Sequence, residues 1–269
     1  GQCRAAVMAG FYRAFAAAQA AKLAAAFRPR PGPRIDDNLP YGLRIGGSVL
    51  FENEVPFIIA AGAGHLVQKP AGGIATIAAH GRMPANGNTI HRSYLDSDAA
   101  GDESFLQAIT GPDGQPIAGE LRLFRLFREL MPATPKEWSV WLPANPDDPN
   151  ERYLVGYRQL DVPDAIDASR VQASYARMWP QGGPDQVAPI ILEERLNADP
   201  FGSDTMVVMH RAMLYGRVLP RPESLPPGTP LPDELLWLQV SEYPDRAMVL
   251  LYAGLALEPD EVRFVPPSA

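Results

Sequence analysis

Three histidines, His65, His80 and His91, are followed by Asp96 and Asp98, so residues 65–98 are where the sequence brings metal-binding side chain types nearest together. Imidazole and carboxylate suit zinc, iron or manganese, and an ion held by them would activate water for hydrolysis. The spacing of these residues matches no compact ligand motif, and we therefore expect no metal site and no cofactor. A metal-dependent hydrolase or metal-binding protein using His65, His80 or His91 with Asp96 or Asp98 is the alternative. The acidic stretch also half-fits a calcium loop, with Asp96, Asp98, Gly101 and Asp102 at its first, third, sixth and seventh places. Ala100 stands fifth and Gln107 twelfth, where oxygen ligands belong, so a solvated hairpin loop is expected instead.

Other chemistries are weaker still. Ser93 lies two residues from His91, and on a strand both would face one side, which alternation makes common by chance. No Gly-x-Ser-x-Gly elbow exists, and Gly46-Gly47-Ser48-Val49 lacks the flanking glycine. Gly62-Ala63-Gly64 opens like a dinucleotide fingerprint, but Val67 fills its sixth position and no βαβ pattern follows, so a turn between strands, needing positive φ, is expected. Glu193 and Glu194 are adjacent and would point to opposite faces of a strand, a poor arrangement for an acid and base pair. His210 has no companion nearby in sequence. No catalytic residue is assigned.

The elements that must position these side chains are mostly strands. From Leu39 onward short apolar runs alternate with turn residues: Leu43 to Ile45, Val49 to Phe51, Phe57 to Ile59, Ile74 to Ala79, Ile90 to Leu95 and Phe105 to Ile109. Asn86-Gly87 is the dipeptide favoured in tight hairpin turns, and Ile90 to Leu95 should pair with Phe105 to Ile109 across the polar loop. Leu121 to Leu130 satisfies both periodicities, which suggests a strand passing into a short helix. Strand patterns resume at Tyr153 to Tyr157, Ile190 to Leu196, Met206 to Leu219, Leu235 to Tyr243 and Ala247 to Leu257, while Ala168 to Trp179 reads as a short helix. The Ala-rich stretch from Ala5 to Ala26 predicts an N-terminal helix, stopped by Pro29, Pro31 and Pro33.

The expected fold class is therefore α+β and predominantly antiparallel β, a meander, sandwich or barrel-like body with an N-terminal Ala-rich helix and one or two short helices. Residues 1–38 form the helix and linker, 39–258 the β-rich body, divisible near residue 150 into 39–145 and 151–258, and 259–269 a tail. The aromatics Trp138, Trp141, Tyr153, Tyr157, Tyr175 and Trp179 are candidates for a ligand groove, with core packing the plainer role.

Composition narrows function by exclusion. Lys and Arg number 24 against 31 Asp and Glu, a formal charge of -7, with no basic run; nucleic acid as a partner is disfavoured. The single Cys3 allows no intrachain disulfide, and a reducing cytoplasm is the simplest home. Arg13, Gln19 and Lys22 interrupt the Ala-rich stretch, so no transmembrane segment is expected there.

Several segments together resemble the YjfK-like family of uncharacterised bacterial proteins, a domain of unknown function. They are Leu39 to Gly47, His91-Arg92-Ser93-Tyr94-Leu95-Asp96-Ser97-Asp98 followed by Phe105-Leu106-Gln107, Tyr175 to Trp179, Met213 to Tyr215 and Leu235 to Glu242. Ser93 stands where the family usually has a second aromatic, and the acidic loop is longer by several residues. The resemblance implies no established activity. It does imply a supporting role near the inner membrane, since similar proteins are often encoded beside membrane-stress proteins. We therefore expect a cytoplasmic, non-catalytic binding or scaffold protein, placed at or near the inner membrane, whose partner is another protein, either soluble or membrane-associated. His91, Arg92, Tyr94, Asp96 and Asp98 would be the binding residues, carried on an exposed polar hairpin.

Overall fold

The computed structural model describes residues 33–267, except 63, 68, 97–102, 146–147, 149–150, 164–170, 203–204, 224, 227, 229–230, 232 and 244–245. The N-terminal helix expected over Ala5 to Ala26 lies outside the described residues, as does Asp98.

Every strand pairing is antiparallel. The strands are β1 (Ser48–Leu50), β2 (Ile74–Ala85), β3 (Asn88–Asp96), β4 (Ser104–Thr110), β5 (Arg122–Leu130), β6 (Gln159–Pro163), β7 (Val171–Arg177), β8 (Ile190–Asn197), β9 (Thr205–Arg217), β10 (Glu234–Glu242), β11 (Ala247–Ala256) and β12 (Arg263–Val265). Eight of them close into a barrel in the order β2-β3-β4-β5-β11-β10-β9-β8, because β8 pairs with both β9 and β2. Closure removes the open edges that would otherwise expose unpaired backbone groups. Two flaps extend from the ring: β1 and β12 continue from the first half of β2, and β7 and β6 from the end of β9. Strands from residues 39–145 and from 151–258 thus build one barrel together, joined at the β5–β11 and β2–β8 pairings.

Alternation along each strand sends one set of side chains inward. Ile90, Phe105, Phe124, Leu214, Trp237, Leu250 and Tyr252 form the interior cluster. The outer face of the wall is itself buried on two sides. Val49, Phe51, Phe57 and Val67 cover one part, packed with Leu106, Leu123 and Leu255. Val155, Leu160 and Tyr175 cover another, packed with Leu236, Leu238 and Leu251. β10 and β11 are consequently buried on both faces, which is why Leu235 to Leu238 and Met248 to Leu251 read as unbroken apolar runs. Each such side chain removed from water contributes about 1.5–3 kcal/mol.

The hairpin turn at Asn86-Gly87 forms as expected, with φ of 49° and 81° at its two residues. Gly64, also at positive φ (77°), turns the chain as expected, but just past the end of the helix Val55–Gly62 and not between two strands. Two helical assignments are corrected. Ala168 to Trp179 contains strand β7: Ala173, Tyr175 and Arg177 are buried while Gln172, Ser174 and Ala176 are exposed, a period of two that outweighs the helix preference of its alanines. Leu121 to Leu130 is strand through Leu130, and its mixed period reflects a bulge opposite Leu251/Tyr252. In the other direction, Phe57 to Ile59 belongs to helix α1 (Val55–Gly62), which buries Phe57 and Ala60 and leaves Ile58 outward. A second short helix, α2 (Pro135–Trp138), starts in a capping box made by Thr134 and Glu137. Tyr153 to Tyr157 carries only an isolated bridge, from Tyr157 to Gln186.

Candidate functional site

Strand β3 divides the expected site between two environments. Its inward residues Arg92 and Tyr94 meet polar side chains from β4, β8, β9 and β10 at the centre of the barrel; its outward residue His91 meets His80 of β2.

The inward group is a continuous network. Arg92 Nε donates to Gln107 Oε1 (3.3 Å) and Arg92 Nη1 to Gln239 Oε1 (3.0 Å), while the guanidinium lies over the rings of Phe105 (4.4 Å) and Trp237 (4.7 Å). Trp237 Nε1 donates to the same Gln239 oxygen (2.7 Å), and Gln239 Nε2 donates to Ser241 Oγ (2.9 Å). Ser241 Oγ lies 3.0 Å from His210 Nδ1, and His210 Nε2 lies 2.7 Å from Glu194 Oε2. The Tyr94 hydroxyl donates to the Glu194 carboxylate (2.9 and 3.0 Å), whose nearest cation is Arg92 at 3.8 Å. Because Gln239 already donates to Ser241, the serine hydroxyl proton is directed to His210 Nδ1, and Nε2–H then points at Glu194.

Charges in this network follow from burial set against its partners. Burial lowers the affinity of His210 for a proton more than the Glu194 hydrogen bond raises it, so the imidazole is neutral. Burial pushes the Glu194 carboxyl up, but the His210 hydrogen bond and the Arg92 charge outweigh it and hold the group below the usual carboxylate range. Arg92 is desolvated yet held as a cation, chiefly by Tyr94 and Glu194. The barrel therefore encloses one compensated ion pair, spaced by tyrosine, histidine and amide groups.

Serine, histidine and carboxylate in a row have the order of a nucleophilic triad. Attack on a substrate also needs an open face on the serine and donors for the oxyanion. Ser241, His210 and Glu194 are at most 1% exposed, Ser241 Oγ is already engaged by Gln239 and His210, and neither cleft described below is lined by any of the three.

The outward group is smaller. His91 Nε2 lies 3.0 Å from Thr110 Oγ1, and His91 Nδ1 lies 3.4 Å from His80 Nε2. Burial lowers both imidazoles, to about 3 for His80 and about 4 for His91, so both are neutral at neutral pH. His80 also lines a cleft of about 450 Å³ between the segment Ile35–Ile45 and the outer faces of β2, β8 and β9. A second cleft, about 470 Å³, sits at the barrel mouth beside the Asn86 turn, floored by Ile90, Leu192 and Trp179. Of the six aromatics proposed for a groove, Trp179 alone lines one of these clefts; its ring is 5.3 Å from Trp237, while Tyr175, Trp138 and Trp141 pack in the outer cluster.

The exposed polar hairpin expected from His91 onward is corrected in its first half: Arg92 is fully buried, and His91 and Tyr94 are 7% and 6% exposed. The polar letters of β3 alternate between a packed wall and a packed interior, so neither set faces solvent. Asp96 is exposed at the end of the strand. His65 is not with the other two histidines; it lies against Glu234 (3.2 Å), which also accepts from Leu66 N and pairs with Arg217, and this group fastens the loop after α1 to the barrel. Among the described residues no three His, Cys, Asp or Glu side chains converge as a metal site. Gln107, the twelfth place of the calcium template, is inside the barrel bonded to Arg92. Glu193 and Glu194 do face opposite ways, outward and inward. Nothing in the sequence joined Glu194 and His210, each set aside singly, to Gln239 and Ser241, which are isolated polar residues in an apolar strand. The signal available was that each falls on the inward phase of its strand.

Fold and site together define a closed antiparallel β-barrel with a buried polar core. The chain belongs to the family described as Protein of unknown function (DUF2491), whose model matches residues 11–225. The match begins within the Ala-rich stretch, ahead of Leu39, and ends at residue 225, before the Leu235 to Glu242 segment. No curated protein and no solved structure matches the chain.

Proposed function

We propose that this chain is a non-catalytic binding protein in which the barrel is a rigid scaffold. The observation that carries this is the burial of Arg92, Glu194, His210 and Ser241, whose polar atoms are spent mostly on one another, away from any described cleft. A reactive group must reach its substrate; a group sealed in a network instead fixes the register of the strands around it. His91, Arg92 and Tyr94 then serve binding indirectly, by setting the position of the β3–β4 end, where Asp96 is exposed to the partner; Asp98, two residues on in the sequence, is assigned to the same surface. The resemblance to YjfK-like proteins points to a protein partner at the inner membrane; among the described residues no helix is long and apolar enough to cross a membrane.

In-cell crosslinking tests this reading. The wild-type chain should give a discrete crosslinked adduct that is lost in the double variant Asp96→Ala/Asp98→Ala at unchanged expression and unfolding midpoint. An adduct recovered equally from the variant would count against that surface. Metal analysis after desalting addresses the hydrolase alternative, since near-stoichiometric zinc, manganese or iron would favour it.

A further inference from the structure

One row of residues on the outer wall is electrostatically incomplete. Arg82 of β2 and Arg195 of β8 are direct cross-strand partners, and both are exposed along the cleft between Ile35–Ile45 and the barrel. Their flanking neighbours in the same row are His91 on β3 and Val207 on β9, neither of which supplies negative charge. Like charges directly opposite one another on a sheet are unfavourable. Arg195 reaches only the exposed Glu193 on its own strand (3.1 Å), and Arg82 has no hydrogen-bond or ion-pair partner among the described residues. One acid, Asp36, lines this cleft and is already committed: it accepts from Arg34 at both oxygens (2.8 Å each) and from the backbone of Ile45 (2.7 Å). One row below, His80 lines the same cleft, is 6% exposed, and keeps Nδ1 without a partner while Nε2 faces His91. Of the remaining wall, Ile35, Leu39, Ile45 and Val207 are apolar, and Asn197 and Thr205 are polar.

We propose that this cleft binds a small amphipathic anion, its phosphate or carboxylate group seated between Arg82 and Arg195 and its hydrocarbon portion against Ile35, Leu39 and Val207. Two guanidinium groups on directly paired residues can both donate to a single oxyanion, which would relieve their repulsion and gain charge-assisted hydrogen bonds. A polar head at one wall and an apolar surface at the other is the usual division of labour in a small-molecule site. Asn197, bonded to Thr205 (2.8 Å), closes the end of the cleft on the His80 row. This site uses none of the residues assigned to the partner surface at Asp96 and stands or falls separately from it.

Isothermal titration calorimetry with octyl phosphate tests the assignment on the full chain, with inorganic phosphate and octanol as the half-ligands. Octyl phosphate should bind saturably, and each half-ligand should bind at least about tenfold more weakly, since each keeps only one set of contacts. Arg82→Gln and Arg195→Gln should each weaken octyl phosphate about tenfold, the loss expected for one charged hydrogen-bonding partner. Val207→Glu, which places a negative charge in the same cleft from the opposite strand, should abolish binding and gives a second route should either glutamine variant fold poorly. Sedimentation with phosphatidylcholine vesicles containing phosphatidic acid separates the ligand's sources: Arg82-dependent pelleting assigns a lipid headgroup, and its absence assigns a free anion. No saturable octyl phosphate binding by the wild-type chain, or equal binding by folded Arg82→Gln, Arg195→Gln and Val207→Glu, would overturn the proposal.

Discussion

Arg92 and Arg82 sit on adjacent strands of one barrel and have opposite fates. Arg92 points inward, stacked between Phe105 and Trp237, bonded to two glutamines and balanced by Glu194. Arg82 points outward, opposite a second arginine and without a described partner. Inside, every charge needs compensation because water cannot supply it, so the chain has built that compensation from five strands. Outside, solvent screens the same charge, and an unmatched pair can persist at little cost. A buried cation is therefore a statement about folding, whereas an exposed and uncompensated pair leaves room for a ligand.

The contrast is sharpest on the inside. Arg92→Met should destabilise the chain by about 3–5 kcal/mol in urea unfolding, because Glu194 would be left as an uncompensated buried charge. Arg82→Gln should change stability by less than about 0.5 kcal/mol, as surface substitutions usually do. Similar losses from the two variants would erase the distinction drawn between the faces.

Gly81 gives the next largest effect. A Cβ built there would lie 1.8 Å from Glu194 Oε1, so the carboxylate rests directly on the β2 backbone. Gly81→Ala should cost about 1–3 kcal/mol, the range for overpacking. In a double-mutant cycle with Glu194→Ala the combined loss should fall short of the sum of the two, since Glu194→Ala removes the carboxylate that the added Cβ would strike. Additive losses would place Glu194 elsewhere.

The smallest effect concerns the outer wall and is read through pH. Burial depresses His91 to about 4, below its value in the unfolded chain. The unfolded state therefore binds a proton first as pH falls, so stability is complete above about 6.5 and is lost progressively between about 6.5 and 4. His91→Gln should leave stability at pH 8 nearly unchanged and recover on the order of 1 kcal/mol at pH 5. Parallel pH profiles for variant and wild type would show that this imidazole is not desolvated. His80, lowered to about 3 by burial and then by His91, should behave in the same sense.

Much of the wall was legible in the residues. The Asn86-Gly87 turn, the pairing of Ile90 to Leu95 with Phe105 to Ile109, and the strands from Ile190 onward follow from local chemistry and alternation. So did the opposite orientation of Glu193 and Glu194. Composition misled where it conflicted with period: the alanines of Ala168 to Trp179 suggested helix, yet Tyr175 and Arg177 are buried two apart on a strand. Phe57 to Ile59 failed the other way, because three successive apolar residues fit either element and tertiary cover settled on helix.

The candidate site was far less legible. Arg92 and Gln239 are separated by 147 residues, and Tyr94 and Glu194 by 100. Nothing in either neighbourhood marks the other.

By itself the sequence determined that this is a strand-built chain, where most of its strands and turns fall, and which residues of each strand share a face. Those are local properties, set by backbone preference and a side-chain period of two. Only the tertiary structure decided that β8 bridges β9 and β2, closing the ring and turning one face of each strand inward. Closure is what converts lone polar residues on β3, β4, β8, β9 and β10 into one buried network, and what sets Arg82 opposite Arg195. Strand neighbourhood depends on long-range pairing, which no stretch of sequence carries alone.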